Sequence, residues 1–366
     1  MNGTRNAQAP YYSEDLVTLF HGDCIEVMQS MPDNSVHAIV TDPPYGLGFM
    51  GKAWDDLPPG LDFAVEAFRV LKPGGHILAF GGTRTWHRLA VAIEDAGFEL
   101  RDSIAWLYGS GFPKSKNLDG EWVGWGTALK PAFEPIVVGR KPLAGTVAAN
   151  VLAHGTGALN IDGCRTATTD ALTGSGQPPL AHGGTNTRPF HADHVAVPTS
   201  QNDAGRWPTN VILDESQAVF LDSQTGILTS GANPTSRGSD KFRNAYGDFK
   251  GQADIEPARG ADSGGASRFF PTFHYEAKAP STERPEVNGV QHPTVKPLEL
   301  MRWLVRLVTP PGGTVLEPFA GSGTTLEACL IEGFNVIGIE REESYLPLIM
   351  QRIKKPLQQS LFGDVA

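Results

Sequence analysis

This sequence of 366 residues has few cysteines and no long apolar run. Its three cysteines are far apart in the chain, without the close pairs that are typical of zinc sites or of disulfide frameworks. No apolar segment is long enough to span a bilayer. Residues 1–13 also lack the apolar stretch of a secretory signal. We therefore expect a cytoplasmic protein that holds no metal and binds no membrane.

Basic residues are also in short supply. The chain has 30 Lys and Arg against 40 Asp and Glu, which gives a formal net charge of −10. The excess lies mainly in residues 1–100, which hold 6 basic and 13 acidic side chains. Composition therefore gives no support for nucleic-acid binding, although a local positive groove would be enough for it.

Strand and helix patterns alternate over residues 17–110. The predicted strands cover residues 36–40, 76–80 and 103–107, the predicted helices cover 61–70 and 88–95, and a loop is predicted over 71–75. Such alternation is typical of a mostly parallel α/β sheet. For Trp106, Trp122 and Trp125, contact with nucleic acid is one interpretation, and we favour packing in the core, because bulky aromatic side chains are usually buried.

A second α/β segment covers residues 291–356. It is predicted to contain helix 298–308, strand 314–316, helix 324–332 and strand 335–339, and the last three form one βαβ unit. The stretch between the two α/β segments is different, because 166–209 and 224–266 are rich in Gly, Ser, Thr, Pro, Asn and Asp. We interpret 111–290 as an insertion with some structure of its own, and 1–16 and 357–366 as tails.

A glycine turn follows the strand at 314–316. Gly321 and Gly323 allow a tight turn before a helix, whose first N–H groups are free to bind a ligand. Glu340 ends the next strand, and an acidic side chain at such a place accepts hydrogen bonds from two ribose hydroxyls. No Lys-Ser/Thr pair follows the glycines, so the pattern does not fit a triphosphate-binding P-loop. The turn predicts a nucleoside-type cofactor, and Glu317 beside it suits the cationic amino group of S-adenosylmethionine.

A proline-rich turn ends the strand at 36–40. Pro43 and Pro44 stiffen this turn and have no N–H, so their carbonyls are free to accept hydrogen bonds. Asp42 is a second acceptor, and Tyr45 presents a ring face. An exocyclic amino group on a planar base has two N–H donors and a stacking surface, which match this set. By itself the segment is equally compatible with a surface turn and a packing tyrosine.

Together, these motifs resemble those of amino-directed DNA methyltransferases. Asp42–Tyr45 resembles their catalytic motif and Glu317–Gly323 their cofactor motif, while His292–Pro297 is similar to the segment before the cofactor motif. His21–Cys24 resembles the strand end whose aspartate contacts the cofactor. The catalytic motif precedes the cofactor motif, as in the permuted β group of these enzymes, and parts of 111–290 resemble prophage-borne adenine methyltransferases.

The resemblance implies a Rossmann-like, S-adenosylmethionine-dependent methyltransferase fold, with a mixed, mostly parallel sheet and a target-recognition insertion at 111–290. It implies double-stranded DNA as substrate, a target base flipped out of the duplex, S-adenosylhomocysteine as product, and a homodimer. It also places the protein near the nucleoid of a bacterial or phage-infected cell, within restriction-modification. The implied catalytic residues are Asp42, Pro43, Pro44 and Tyr45. The implied cofactor residues are Asp23, Cys24, Asp42, Thr294, Lys296, Glu317, Phe319, Ala320, Gly321, Ser322, Gly323, Thr324, Glu340 and Arg341.

The target base is less constrained than the reaction. Enzymes of this kind that act on N4 of cytosine tend to have Ser where this chain has Asp42, so adenine N6 is favoured and cytosine N4 stays open. Methylation of an RNA or protein amide is a further alternative, although that motif usually begins with Asn. A catalytically silent DNA-binding regulator is the fourth. Methylation at cytosine C5 is excluded, because it needs a cysteine of the kind that follows a proline, and no cysteine here follows one.

Overall fold

The computed structural model describes residues 8–48, 55, 58–109, 111, 115–168, 205–230, 262–273 and 284–355. The chain divides into two compact units. The first contains the described residues of 1–164, 208–218 and 270–366, and the second contains those of 165–207 and 219–269. Among the described residues, no helix has the length and apolar character needed to cross a membrane.

The first unit is built on a mixed sheet of ten strands. They are β1 (Tyr12–Glu14), β2 (Val17–His21), β3 (Val36–Thr41), β4 (Leu71–Phe80), β5 (Glu99–Leu107), β6 (Phe133–Arg140), β7 (Val211–Asp214), β10 (Thr272–Phe273), β13 (Thr314–Glu317) and β14 (Asn335–Glu340). Their order is β1-β2-β14-β13-β3-β4-β6-β5-β7-β10. The β1–β2, β4–β6 and β5–β6 pairs are antiparallel, and the others are parallel.

The described residues also form α-helices. They are α1 (Cys24–Ser30), α2 (Leu61–Val70), α3 (Trp86–Asp95), α4 (Val147–His154), α5 (Glu215–Thr225), which runs from the first unit into the second, α6 (Leu298–Val308), α7 (Thr324–Ile331) and α8 (Leu346–Ile353). Side chains of α6, α7 and α8 share one buried cluster with Ala38 and Val40 of β3. Side chains of α1, α2 and α3 share the other cluster with Ile39. Consecutive residues of β3 thus face opposite helical layers, as the alternation of a strand requires.

The strands from the C-terminal segment lie between strands from the N-terminal segment. Leu316 of β13 is in register with Ile39 of β3, and Glu340 of β14 is in register with His21 of β2. Because all four strands are parallel, their carboxyl ends meet at one edge of the sheet, where ligands bind in open α/β folds. The permuted order of the motifs is therefore compatible with a continuous sheet, and the predicted fold class is confirmed.

The predicted loop at 71–75 is wrong. Leu71 is buried and pairs with Val36 of β3, and the pairing then shifts register before Ala38 meets His76. Gly74 takes a φ of 75° within this stretch and donates to the carbonyl of Lys141. The Pro-Gly sequence thus interrupts the ladder locally without ending strand β4.

Residues 111–290 contribute strands to more than one sheet. β6, β7 and β10 belong to the ten-stranded sheet, and β11 (Glu286–Val287) pairs with β12 (Val290–Gln291) in a short hairpin.

In the second unit, β8 (Leu228–Ser230) pairs antiparallel with β9 (Asp262–Gly264). There Asp222 accepts hydrogen bonds from the backbone N–H and the hydroxyl of Ser267, at 2.8 and 2.7 Å.

Candidate active site

A cavity of about 450 Å³ opens at the carboxyl edge of the sheet. Its wall includes nearly every residue that the motifs point to: Asp23, Cys24, Asp42, Pro43, Pro44, Tyr45, Thr294, Lys296, Glu317, Phe319, Ala320, Gly321, Ser322, Thr324, Glu340 and Arg341. Gly323 is the one predicted residue that is absent from this wall. It caps α7 with a φ of 83°, and a Cβ there would come within 3.2 Å of Ile349, so a glycine suits this turn of the chain.

The glycine turn after β13 is tied to the end of β14. Gly321, with a φ of 53°, donates its N–H to Oε2 of Glu340 at 2.6 Å. A Cβ at Gly321 would lie 3.1 Å from Nε2 of His292, so a side chain there would crowd the neighbouring segment. The turn can therefore bring its backbone close to a ligand in the cavity.

Glu340 is oriented by the backbone on both of its oxygens. Oε1 accepts from the N–H of Glu342 at 2.8 Å, while Oε2 accepts from Gly321. Burial raises the pKa of this carboxyl to about 7. Each carboxylate oxygen has a second lone pair, so the fixed group can still accept two hydroxyl hydrogens. These two acceptor oxygens fit the hydroxyls of a ribose in the cavity.

Asp23 and Cys24 form another part of the wall. Oδ1 of Asp23 caps helix α1, because it accepts from the N–H groups of Ile25 at 2.9 Å and Glu26 at 3.4 Å. Burial raises the pKa of the Cys24 thiol to about 12, so this side chain is a neutral packing group.

Glu317 is buried and makes several hydrogen bonds with its own chain. Oε1 accepts from the hydroxyl of Thr41 at 2.5 Å and from the N–H of Phe319 at 3.1 Å, and Oε2 accepts from Thr325 at 2.6 Å. Burial raises its pKa to about 8. Glu317 therefore joins the end of β3 to the turn after β13, which holds the two motifs side by side.

The Thr41–Glu317 bond can be tested through stability. We expect Thr41→Val to lower the free energy of unfolding by about 1–3 kcal/mol, since it leaves a buried carboxyl oxygen with one donor fewer. Urea titration measures this loss. The control is Thr18→Val on β2, whose hydroxyl contacts Ser13 at an exposed position, and we expect it to stay within about 0.5 kcal/mol of the parent. Equal stabilities for the two variants would show that the buried bond contributes nothing.

The Asp42–Tyr45 turn is held from behind by two residues that the motifs do not include. The carboxylate of the buried Asp55 accepts from the N–H groups of Tyr45 and Gly46 at 2.6 and 3.0 Å. Thr85 donates its hydroxyl to the carbonyl of Tyr45 at 2.6 Å. The chain path of the turn is therefore fixed by groups 10 and 40 residues away in sequence, and no local pattern pointed to them.

Lys296 lies against the catalytic motif. Its ammonium donates to Oδ2 of Asp42 at 2.7 Å and to the hydroxyl of Tyr45 at 3.1 Å, and it lies 3.3 Å from Oε2 of Glu134. Burial by itself lowers the pKa of Lys296, but the carboxylates of Asp42 and Glu134 raise it above the ordinary value, so the ammonium keeps its charge. Lys296, which the resemblance implies for the cofactor site, therefore also makes a direct contact with Asp42.

Tyr45 also belongs to this group of side chains around Asp42. Its hydroxyl donates toward Oδ1 of Asp42 at 2.9 Å, and burial raises its pKa well above 10, so it stays neutral. Within the described part of the chain, no group of three or more His, Cys, Asp or Glu side chains could hold a metal ion.

The three tryptophans lie in different environments. Trp106 is buried, as predicted, and its ring lies on the cavity wall. The core prediction is wrong for Trp122 and Trp125, which are 55% and 61% exposed. They pack edge to face on each other, with ring centroids 5.3 Å apart, in a loop between β5 and β6.

The DNA methylase family model N6_N4_Mtase matches residues 36–351 of the chain. Type II methyltransferase M.HindIII of Haemophilus influenzae is 26% identical over an alignment of 200 residues. The alignment covers 39% of this chain and 64% of that protein. The methylase YubD of Escherichia coli is 41% identical over 76 residues, or 20% of this chain and 34% of that protein. The chain therefore matches less than two thirds of the length of either relative.

The solved structure of the M1.HpyAVI–SAM complex is 17% identical in sequence to this chain, with a TM-score of 0.45. The superposition covers 92% of this chain and 99% of the M1.HpyAVI chain. The family match spans both α/β segments and the site between them. The chain therefore belongs to the DNA methylase family, the S-adenosylmethionine-dependent N6-adenine/N4-cytosine methyltransferases with a Rossmann-like fold.

Proposed function

We propose that this protein transfers a methyl group from S-adenosylmethionine to the N6 amino group of adenine in double-stranded DNA. One observation carries the proposal. The Asp42–Tyr45 turn, the glycine turn at Gly321 and the ribose-type acceptor Glu340 lie on the wall of one cavity. They are brought there by the parallel neighbours β3, β13 and β14.

The residues of the Asp42–Tyr45 turn orient the amino group. In the proposed complex, the carboxylate of Asp42 and the carbonyl of Pro43 accept its two hydrogens, and the ring of Tyr45 stacks on the base. With S-adenosylmethionine bound, the oriented lone pair of the amino nitrogen would be free to take the methyl group, so that a C–N bond would replace a C–S bond, and the surplus proton would pass to solvent. The bound cofactor supplies the electrophilic methyl group on a sulfonium. Because the acceptors are held in place before the base arrives, positioning accounts for much of the rate.

The substrate must reach a recessed site. An amino group that is paired inside a duplex is out of reach of this cavity, so the proposed reaction requires the target base to flip out. We assign the reading of the DNA site to residues 111–290, of which 112–114, 169–204, 231–261 and 274–283 lie outside the described residues. Asp42, in the position where the cytosine-directed motif tends to have Ser, favours adenine over cytosine N4.

The function is tested by incubating the protein with S-adenosylmethionine carrying a labelled methyl group and a DNA of mixed sequence. We expect label on N6-methyladenine after digestion to nucleosides, and modification at a short recurring site by sequencing. RNA and a protein extract serve as competing acceptors. Label on N4-methylcytosine would overturn the choice of base, and label on RNA or protein alone would overturn DNA as the substrate.

A further inference from the structure

Glu134 is a charged residue on the cavity wall that the catalytic and cofactor motifs do not include. It lies on β6, two strands away from the Asp42–Tyr45 turn, and its side chain is 20% exposed. Its Oε2 lies 3.0 Å from the hydroxyl of Tyr45 and 3.3 Å from the ammonium of Lys296. Its Oε1 lies 3.5 Å from the hydroxyl of Tyr108. Glu134 therefore contacts both partners of Asp42, Tyr45 and Lys296.

The Tyr45 hydroxyl has two acceptors but one hydrogen. The distances to Oδ1 of Asp42 and Oε2 of Glu134 are 2.9 and 3.0 Å, so the two bonds are alternatives of similar length. The hydrogen can move from one to the other by rotation about the bond between ring and oxygen, without movement of the ring. When it points to Glu134, Oδ1 of Asp42 is free for an incoming N–H.

The Lys296 ammonium is likewise shared. It lies 2.7 Å from Asp42 and 3.3 Å from Glu134, so this group of three charged side chains has a formal charge of −1. Without Glu134, the whole positive charge would fall on Asp42. The aspartate would then be a poorer acceptor for the target amino group, since its charge would be neutralised by a partner in a water-poor site.

We propose that Glu134 is a positioning residue for methyl transfer: it takes the Tyr45 hydroxyl hydrogen and a share of the Lys296 charge, and so keeps Asp42 available to the target amino group. The inference rests on the proposed function. No covalent bond changes in this step, because Glu134 acts through hydrogen bonds to Tyr45 and Lys296.

The test compares Glu134→Gln, which removes the charge at nearly constant volume, with the parent protein in steady-state methyl transfer from S-adenosylmethionine to DNA of mixed sequence. We expect kcat to fall by up to about 100-fold, the effect of a small misplacement of a reacting group. The cofactor Kd and the KM values for cofactor and DNA should remain within about threefold. The matched control is Glu99→Gln at the far end of the β5–β6 pair, where Glu99 binds Arg140, and its kcat should equal that of the parent.

A second variant tests the route through Tyr45. Tyr45→Phe retains the ring and removes the hydroxyl. In this variant, Glu134→Gln should lower kcat by a clearly smaller factor than it does in the parent protein. Full additivity would overturn the coupling through the Tyr45 hydroxyl. A parent-like kcat in Glu134→Gln would overturn the inference, and so would a loss of kcat that is matched by losses in thermal stability and cofactor affinity. Absence of methyl transfer by the parent protein would instead overturn the proposed function.

Discussion

Replacement of Asp42 by alanine is expected to lower the rate of methyl transfer by about 1,000-fold, the upper range for loss of one preorganised electrostatic group. The carboxylate is held by Lys296 on one oxygen and Tyr45 on the other, so it is fixed before the base enters. Without it, the target amino group loses an anionic acceptor. The rate is measured with labelled cofactor at saturating concentrations of cofactor and DNA.

Asp42→Ala should bind the cofactor with an affinity within a few-fold of that of the parent protein, because Glu340 and the glycine turn are unchanged. Isothermal titration with S-adenosylmethionine measures this affinity. Asp42→Asn retains the size of the side chain and one carbonyl acceptor, and should have an intermediate rate. Asp33→Ala is the surface control, since Asp33 is 57% exposed in its pair with Arg69. A loss of cofactor affinity as large as the loss of rate would make Asp42 a cofactor residue.

Replacement of Glu340 by alanine is expected to weaken cofactor binding without lowering the rate of methyl transfer. The cofactor Kd should rise by about 100-fold, which corresponds to about 2.8 kcal/mol and to the loss of hydrogen bonds from two ribose hydroxyls to a charged acceptor. Removal of this side chain also takes the acceptor from the N–H of Gly321. At saturating cofactor, kcat should remain near that of the parent.

Titration calorimetry measures the Kd of this variant, and Glu343→Ala is its control. Glu343 is an exposed acid three residues later in the chain, and its replacement should leave the Kd unchanged. A Kd for Glu340→Ala close to that of the parent would remove Glu340 from the cofactor site. A selective loss of kcat would instead place Glu340 with the reacting groups.

Cofactor affinity should depend on pH through Glu340. Burial raises the pKa of its carboxyl to about 7, and the ribose hydroxyls donate to the ionised form. Below the pKa the group must first lose a proton, so the affinity should fall as pH decreases from 8 to 6, approaching about tenfold per pH unit. Glu340→Gln should bind more weakly but without this dependence. If cofactor affinity in Glu340→Gln fell with decreasing pH as steeply as in the parent protein, the titrating group would be another residue.

Local sequence determined part of the secondary structure of the two α/β segments. The predicted helices at 61–70 and 298–308 have the bounds found for α2 and α6. Their apolar residues recur on one face. Gly60 precedes the start of α2, and the Pro310–Pro311 pair follows the end of α6. Neighbouring residues carry these signals, so the sequence contains them without reference to the rest of the fold. The interrupted strand at 71–75 was missed, because Leu71 pairs with a strand that is distant in the chain.

The two functional motifs were also recognisable from sequence, because each is a continuous turn at the end of a strand. Their chemistry was predicted from residue types alone: acceptors and a ring at Asp42–Tyr45, and a glycine turn with an acid at Glu340. Sequence could not predict that Trp122 and Trp125 would be exposed while Trp106 is buried. Burial depends on what other segments pack against a side chain.

Tertiary structure alone decided which groups surround Asp42. Lys296 is 254 residues away from it in the chain, and Glu134 is 89 residues away from Tyr45. These contacts exist because β13 and β14 lie between β2 and β3, and because β6 returns antiparallel beside β4. Strand order and register arise from the packing of the whole sheet, so no local pattern contains them. The sequence by itself thus determined which acceptors, ring and glycines the two turns carry, and the fold decided that the turns share one cavity and that Lys296 and Glu134 lie close to Asp42 and Tyr45.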